Sequence, residues 1–203
     1  LQSIATSTLP VPVSIRDAIK DRLKPMGEVA RSLVGILAVA RQEMDTELLC
    51  MTTLMDTDRM LLGMEELIGA GLVRERHLGE TERFELAQNR LKDVVLEEIG
   101  LEQQRVYHRR IGEALERKHR RRVSYVVESL SHHFEQGGVA PKAYPYLILA
   151  ADKLMQRTFV AEALEYLDRA FLIEADAREY MTLDDADQRL ASLHLKRARA
   201  LYH

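Results

Sequence analysis

Tryptophan is absent from the 203 residues, and Phe and Tyr bring the aromatic share to only 5%. A core must therefore be built from Leu, Ala, Val, Ile and Met. A single cysteine, Cys50, excludes an internal disulfide and any zinc cluster made of cysteines. It fits a reducing cytoplasm. Gly (10) and Pro (5) are few, which argues against a loop-rich or sandwich-type chain. No run reaches the roughly 18 apolar residues of a membrane-spanning helix. Leu1 to Thr8 lacks the basic start and apolar stretch of a signal peptide. Nor is there an excess of charge of one sign. The 29 Lys+Arg against 32 Asp+Glu leave a formal net charge of -3, which argues against a strongly basic nucleic-acid binder but leaves room for a local patch.

Catalytic signatures are missing as well. No Gly-x-x-x-x-Gly-Lys-Ser/Thr occurs, so no backbone nest with a following Lys can cradle phosphates. Gly69-Ala70-Gly71 lacks the third glycine of a dinucleotide loop and falls where a helix ends. No Gly-x-Ser-x-Gly elbow is present. Cys50, inside Leu48-Leu49-Cys50-Met51, reads as a small core residue rather than a nucleophile. The chain is expected to be non-catalytic and to hold no cofactor and no metal.

What is present is helical periodicity. After an extended lead-in (1–9), Ser14 and Asp17 make a capping-box-like start, and Ile15, Ile19 and Leu23 continue until Pro25 and Gly27. A second, more apolar helix is predicted from Glu28 to Ala40, and a short third from Asp45 to Met51. A fourth is capped by Asp56 or Thr57, with Met60, Met64, Leu67 and Ile68 as its buried stripe and Gly71 as a left-handed terminator. The period then becomes two: Leu72-Val73 and Phe84 to Leu86 read as strands around the turn at Leu78-Gly79-Glu80-Thr81. Small helices followed by one hairpin is the layout of a winged helix, placed at 10–90.

From 91 to 203 the pattern is helical throughout. Leu91, Val94, Val95 and Ile99 share one face. A longer helix follows Gly100, with Val106, Ile111 and Leu115. Val126 to Phe134 ends at Gly137-Gly138. Pro141–Gln156 and Phe159–Ile173 come next, then a last amphipathic helix from Leu183 to the end. Leu147, Ala150, Ala151, Leu154, Ala163, Leu167 and Ala170 stand at the offsets of one tetratricopeptide unit, small residues recurring where two helices approach closely. Ala175 replaces the usual terminal Pro. The expected fold is mainly α: a winged-helix-like unit with one small β-hairpin, followed by an α-helical TPR-like repeat array. The start at Leu1 and the end at His203 inside a helical pattern are expected of a piece cut from something longer.

This order of elements resembles the region downstream of the nucleotide-binding module in bacterial STAND-class signalling ATPases. Such regions also occur in large Ser/Thr kinases, cyclases and transcription activators that carry this ATPase. The similarity runs through Leu9-Pro10, Leu37-Ala38-Val39-Ala40, Glu66-Leu67, Gly71-Leu72 and Phe84. It continues through His108 to Glu116, and through Leu130-Ser131-His132-His133-Phe134 to Ala150-Ala151. The resemblance implies a regulatory, protein-interaction role, with any ATP bound upstream of Leu1. Family members commonly carry Phe-x-His just after the hairpin. Here Ala87-Gln88-Asn89 stands instead, so a contact made by that histidine is lost or passes to Gln88, which cannot switch charge.

Two charged blocks remain. Arg117, Lys118, Arg120, Arg121 and Arg122 crowd one helix end, and residues 101–122 sum to 8 − 3 = +5. Glu174, Asp176, Glu179, Asp184, Asp185 and Asp187 form an acidic counter-patch, with residues 174–187 summing to 1 − 6 = -5. Cations suit a helix C-terminus, and the two blocks could meet within one chain or between chains in self-association. A protein partner, or other domains of the same chain, is the expected occupant of the basic run. Nucleic acid is the alternative, since clustered Arg releases phosphate counterions. The helix at 56–70, however, sums to 1 − 4 = -3 and would repel a duplex. His132-His133 points its rings roughly 100° apart on a helix, so the pair is expected to pack, one ring bonding a polar neighbour and the other meeting water.

Overall fold

The computed structural model describes residues 13–79, 81–178, 192 and 194–198. The described chain is mainly helical with a small antiparallel sheet, and it parts into two compact units between Leu101 and Glu102. No described helix is long and apolar enough to cross a membrane.

The first unit holds α1 (Val13–Leu23), α2 (Glu28–Ala40), β1 (Met44–Asp45), α3 (Thr46–Thr53), α4 (Thr57–Gly69), β2 (Val73–Leu78) and β3 (Thr81–Leu86), with the opening turns of α5 (Asn89–Lys118). Its centre is α2, where every residue from Leu33 to Ala40 is buried. Glu66 of α4 reaches back and accepts from the Gly27 amide at the start of α2, 2.9 Å away. Asp56 caps α4 as predicted, accepting from Arg59 N at 2.9 Å, and Asp45, expected as the first residue of the third helix, caps α3 instead, accepting from Leu48 N at 2.8 Å. Gly71 terminates α4 with φ 68°, as only a residue without Cβ does at no steric cost. Arg41, Leu54 and Thr158 take the same left-handed conformation as non-glycine residues at three helix ends.

Four further details depart from the sequence expectation. The hairpin gains a third strand: β1 pairs with β3 (Met44 opposite Phe84), giving the order β1-β3-β2. Two residues carry no readable period, so that strand is visible only in the fold. α1 opens at Val13, which puts Ser14 within the helix. Ile68 is 36% exposed, off the stripe made by Met60, Met64 and Leu67. Residues 91–101 go with the first unit, although their period groups them with the later helices. Arg16 pairs with Glu97 (2.6 Å) and Lys20 with Glu98 (2.7 Å), tying α1 to α5.

Helix α5 is broken at Gly100, whose φ 70° and ψ 165° are non-helical. The rest of α5 leads into the second unit, with a 3-10 turn at Val123–Tyr125, α6 (Val127–Gln136), α7 (Ala140–Gln156) and α8 (Val160–Arg178). Three residues join α7 to α8, so the two helices run back along each other. Tyr144, Leu147, Ala151, Ala163, Leu167, Ala170 and Ala177 form their shared core. Of the predicted last helix, residues 192 and 194–198 are helical and the remainder lies outside the described residues.

Candidate functional site

In the second unit, opposite charges are used to bolt helices together. Glu116 of α5 accepts from Lys142 Nζ (2.7 Å) and Tyr146 Oη (2.6 Å) of α7. Lys142 also lies over the Phe134 ring of α6, and Phe134 stacks on Tyr146. Glu128 of α6 pairs with Lys153 of α7 at 2.8 Å, and Glu135 of α6 with Arg169 of α8. Burial alone would raise the Glu116 carboxyl, but the bonds from Lys142 and Tyr146 and the Lys142 charge outweigh it and hold the carboxyl below its ordinary value. Burial first, then the Glu116 bond and charge, push the Tyr146 phenol far up. Burial would lower Arg169, and the Glu135 contact overrides it upward.

Against this background the basic run divides in two. Arg117 and Lys118 close α5, and both side chains are engaged. The chain then turns, with Arg122 N donating to His119 O, and Arg120, Arg121 and Arg122 emerge exposed. Among the described residues these three guanidinium groups have no hydrogen-bonding or ionic partner. Tyr125, 75% exposed, stands three residues on. Guanidinium groups beside an open phenol ring have the composition of an interface hot spot.

The acidic counter-patch is only partly in view. Glu174 is half-buried and engaged on α8, and Asp176 is exposed nearby. Glu179, Asp184, Asp185 and Asp187 lie outside the described residues. The structure does not bring Arg120, Arg121 or Arg122 to Glu174 or Asp176.

The histidine pair departs from the expectation that one ring meets water, because the Nε2 atom of His132 is buried. His133 is buried (2% exposed) and His132 half-buried. His108 joins them from α5: its Nδ1 lies 3.0 Å from His133 Nδ1, and the three rings stand 5.1 to 5.4 Å apart. Of two Nδ1 atoms in such a bond one donates and the other accepts, so at least one ring is neutral. The separation of 25 positions between His108 and His133 hides this contact from any sequence pattern.

Described residues also line two recesses. One, of about 880 Å³, is lined by Asp152, Met155, Val160, Leu167, Leu195 and Lys196. The other, of about 310 Å³, gathers Arg41, Glu43, Lys92 and Asp93 in the first unit. There burial first, and then the Arg41 charge, lower the Lys92 ammonium, with Asp93 opposing. In the larger recess Lys196 pairs with Asp152 at 2.5 Å. Cys50 is half-buried, its Sγ 3.8 Å from Thr57 Oγ1. Sequence reasoning also missed Glu75, His77 and Glu82, which the hairpin brings together. Neither a protein-family model nor a characterised protein sequence matches the chain.

Proposed function

We propose that the chain is a non-catalytic regulatory segment of a larger bacterial, cytoplasmic signalling protein of the STAND ATPase, kinase or transcription-regulator type. The first unit acts as a winged-helix-like relay, and the second as a TPR-like helical array that docks an acidic protein surface. The observation that carries the reading is the exposed Arg120-Arg121-Arg122 triplet, three consecutive guanidinium groups without an ionic partner among the described residues, beside helices that pair several of their own charges with one another. The antiparallel pair α7–α8, with alanines at its closest approach, supports the repeat-like reading. Binding of a partner that prefers one arrangement of the longer protein would shift its population toward that arrangement.

The alternative is a DNA-binding transcription regulator that uses the winged helix or the Arg117–Arg122 run. The same three arginines favour it, whereas α4 opposes it, because Asp58 and Glu65 are exposed on the helix that would enter a groove. Titration with an acidic peptide and with a random-sequence duplex, each over a salt series, separates the two. The docking reading expects peptide binding that is lost in the Arg120→Glu, Arg121→Glu, Arg122→Glu variant. Tight duplex binding that falls steeply with salt and vanishes in that variant sinks it in favour of the alternative. Turnover of ATP by the purified chain would sink both.

A further inference from the structure

The β2–β3 hairpin sorts its ionisable side chains by face. Directly paired residues of an antiparallel ladder project to the same side. The register sets Arg74 opposite Glu85 and Arg76 opposite Arg83 on one face. On the other it sets Glu75 opposite Phe84 and His77 opposite Glu82. The arginines are all committed: Arg74 donates to the Ala87 carbonyl, Arg76 pairs with Glu85, and Arg83 pairs with Glu43. The hairpin has no lysine. The other face thus keeps two carboxylates and an imidazole with no hairpin cation beside them.

Near the helices that face is apolar, with Val73 and Phe84 buried. Beyond Phe84 it turns polar. His77 Nε2 lies 3.2 Å from Glu75 Oε1. Glu82 is half-buried, and its carboxylate has no partner among the described residues. One donor atom from each of Glu75, His77 and Glu82 lies within 4.8 Å of the other two. Ligands held about 2.1 Å from a tetrahedral ion stand roughly 3.4 Å from each other, so side-chain rotation of about an ångström closes the set.

We propose that Glu75, His77 and Glu82 form a binding site for a divalent transition-metal ion of the zinc class. One imidazole nitrogen and two carboxylate oxygens are a ligand set that zinc accepts. The ion supplies the positive charge that the arrangement of the arginines withholds from this face. Two ligands stand at i and i+2 of one strand and the third is directly across the ladder, so backbone hydrogen bonds fix their spacing before the ion arrives. Three protein ligands leave a fourth position open to water or to a donor from another molecule.

The test is calorimetric titration of zinc chloride into the metal-free full chain, with backbone NMR shifts followed in parallel. The expected result is one equivalent bound with micromolar affinity and shifts centred on residues 75–77 and 82. Affinity should fall by about tenfold or more in His77→Ala and in Glu82→Gln. Glu82→Gln is nearly isosteric and His77 is exposed, so unchanged circular dichroism keeps loss of binding distinct from loss of fold. Arg76→Gln, on the opposite face, should retain the ion. The proposal is overturned if zinc fails to bind, if both ligand variants bind it as tightly as the parent sequence, or if the shifts centre on His108, His132 and His133 instead.

Discussion

The side chains of Arg120, Arg121 and Arg122 are exposed and make no hydrogen bond or ion pair among the described residues, so their replacement tests binding with little disturbance of packing. The triple charge reversal is expected to change stability by no more than about 0.5 kcal/mol per site, measured by urea denaturation, while removing the acidic-peptide interaction. Glu116 makes the opposite kind of residue. Its carboxyl is held low in the folded chain and is ordinary in the unfolded one, so the folded state binds its proton less readily. The stability it contributes is complete above the unfolded carboxylate range and is lost as pH falls through the lower, folded value. Urea titrations of the parent chain and of Glu116→Gln, run from neutral pH downward, should therefore differ most at neutrality and converge in acid. A gap that stays constant would show that Glu116 acts through packing alone.

At the scale of elements, close approach of α2 and α4 depends on Gly63. A Cβ added there would lie 2.7 Å from both Leu33 Cδ1 and Val29 Cγ1. Leu33 is fully buried and Val29 is stiff at χ1, so neither yields easily. Gly63→Ala should lose about 1–3 kcal/mol to overpacking, more than the helix propensity of alanine returns. Gly69, also in α4, has open space where its Cβ would be, and Gly69→Ala should stabilise by up to about 1 kcal/mol. Thermal melts of the two variants should move in opposite directions. The elements themselves were largely legible, because caps and terminators are local: Asp45, Asp56 and Gly71 each do what their residue type does at that position. Gly63 was not legible, since nothing nearby in sequence says which helix it faces. The trio on the hairpin was hidden for a related reason. His77 and Glu82 are adjacent only across the ladder, and the strand pattern read at 72–73 and 84–86 reached neither of them.

For the molecule as a whole, each unit has its own core, one around α2 and one between α7 and α8. Leu167, 1% exposed, belongs to the second. Leu167→Ala should cost about 2–5 kcal/mol. By hydrogen exchange the loss of protection should fall on α7 and α8 and spare α2, because each unit opens as its own cooperative body. Protection lost equally in both would show one cooperative body instead. The mainly helical architecture followed from the period of Leu, Ala and Val. Which helices bolt to which did not, because Glu116–Lys142 and Glu135–Arg169 join residues more than two dozen positions apart.

Arg41, Leu54 and Thr158 hold three corners of the chain with φ near +60°, a conformation that costs an ordinary L-residue about 1–2 kcal/mol. The fold therefore carries tension at its bends and relies on its helix faces to outweigh it. Leu54 is 73% exposed and gives almost no contact in return. Leu54→Asn, followed by the same exchange at the other two bends, is the least disruptive route to a hardier version of this scaffold, since it relaxes the joints and leaves every packed surface as it is.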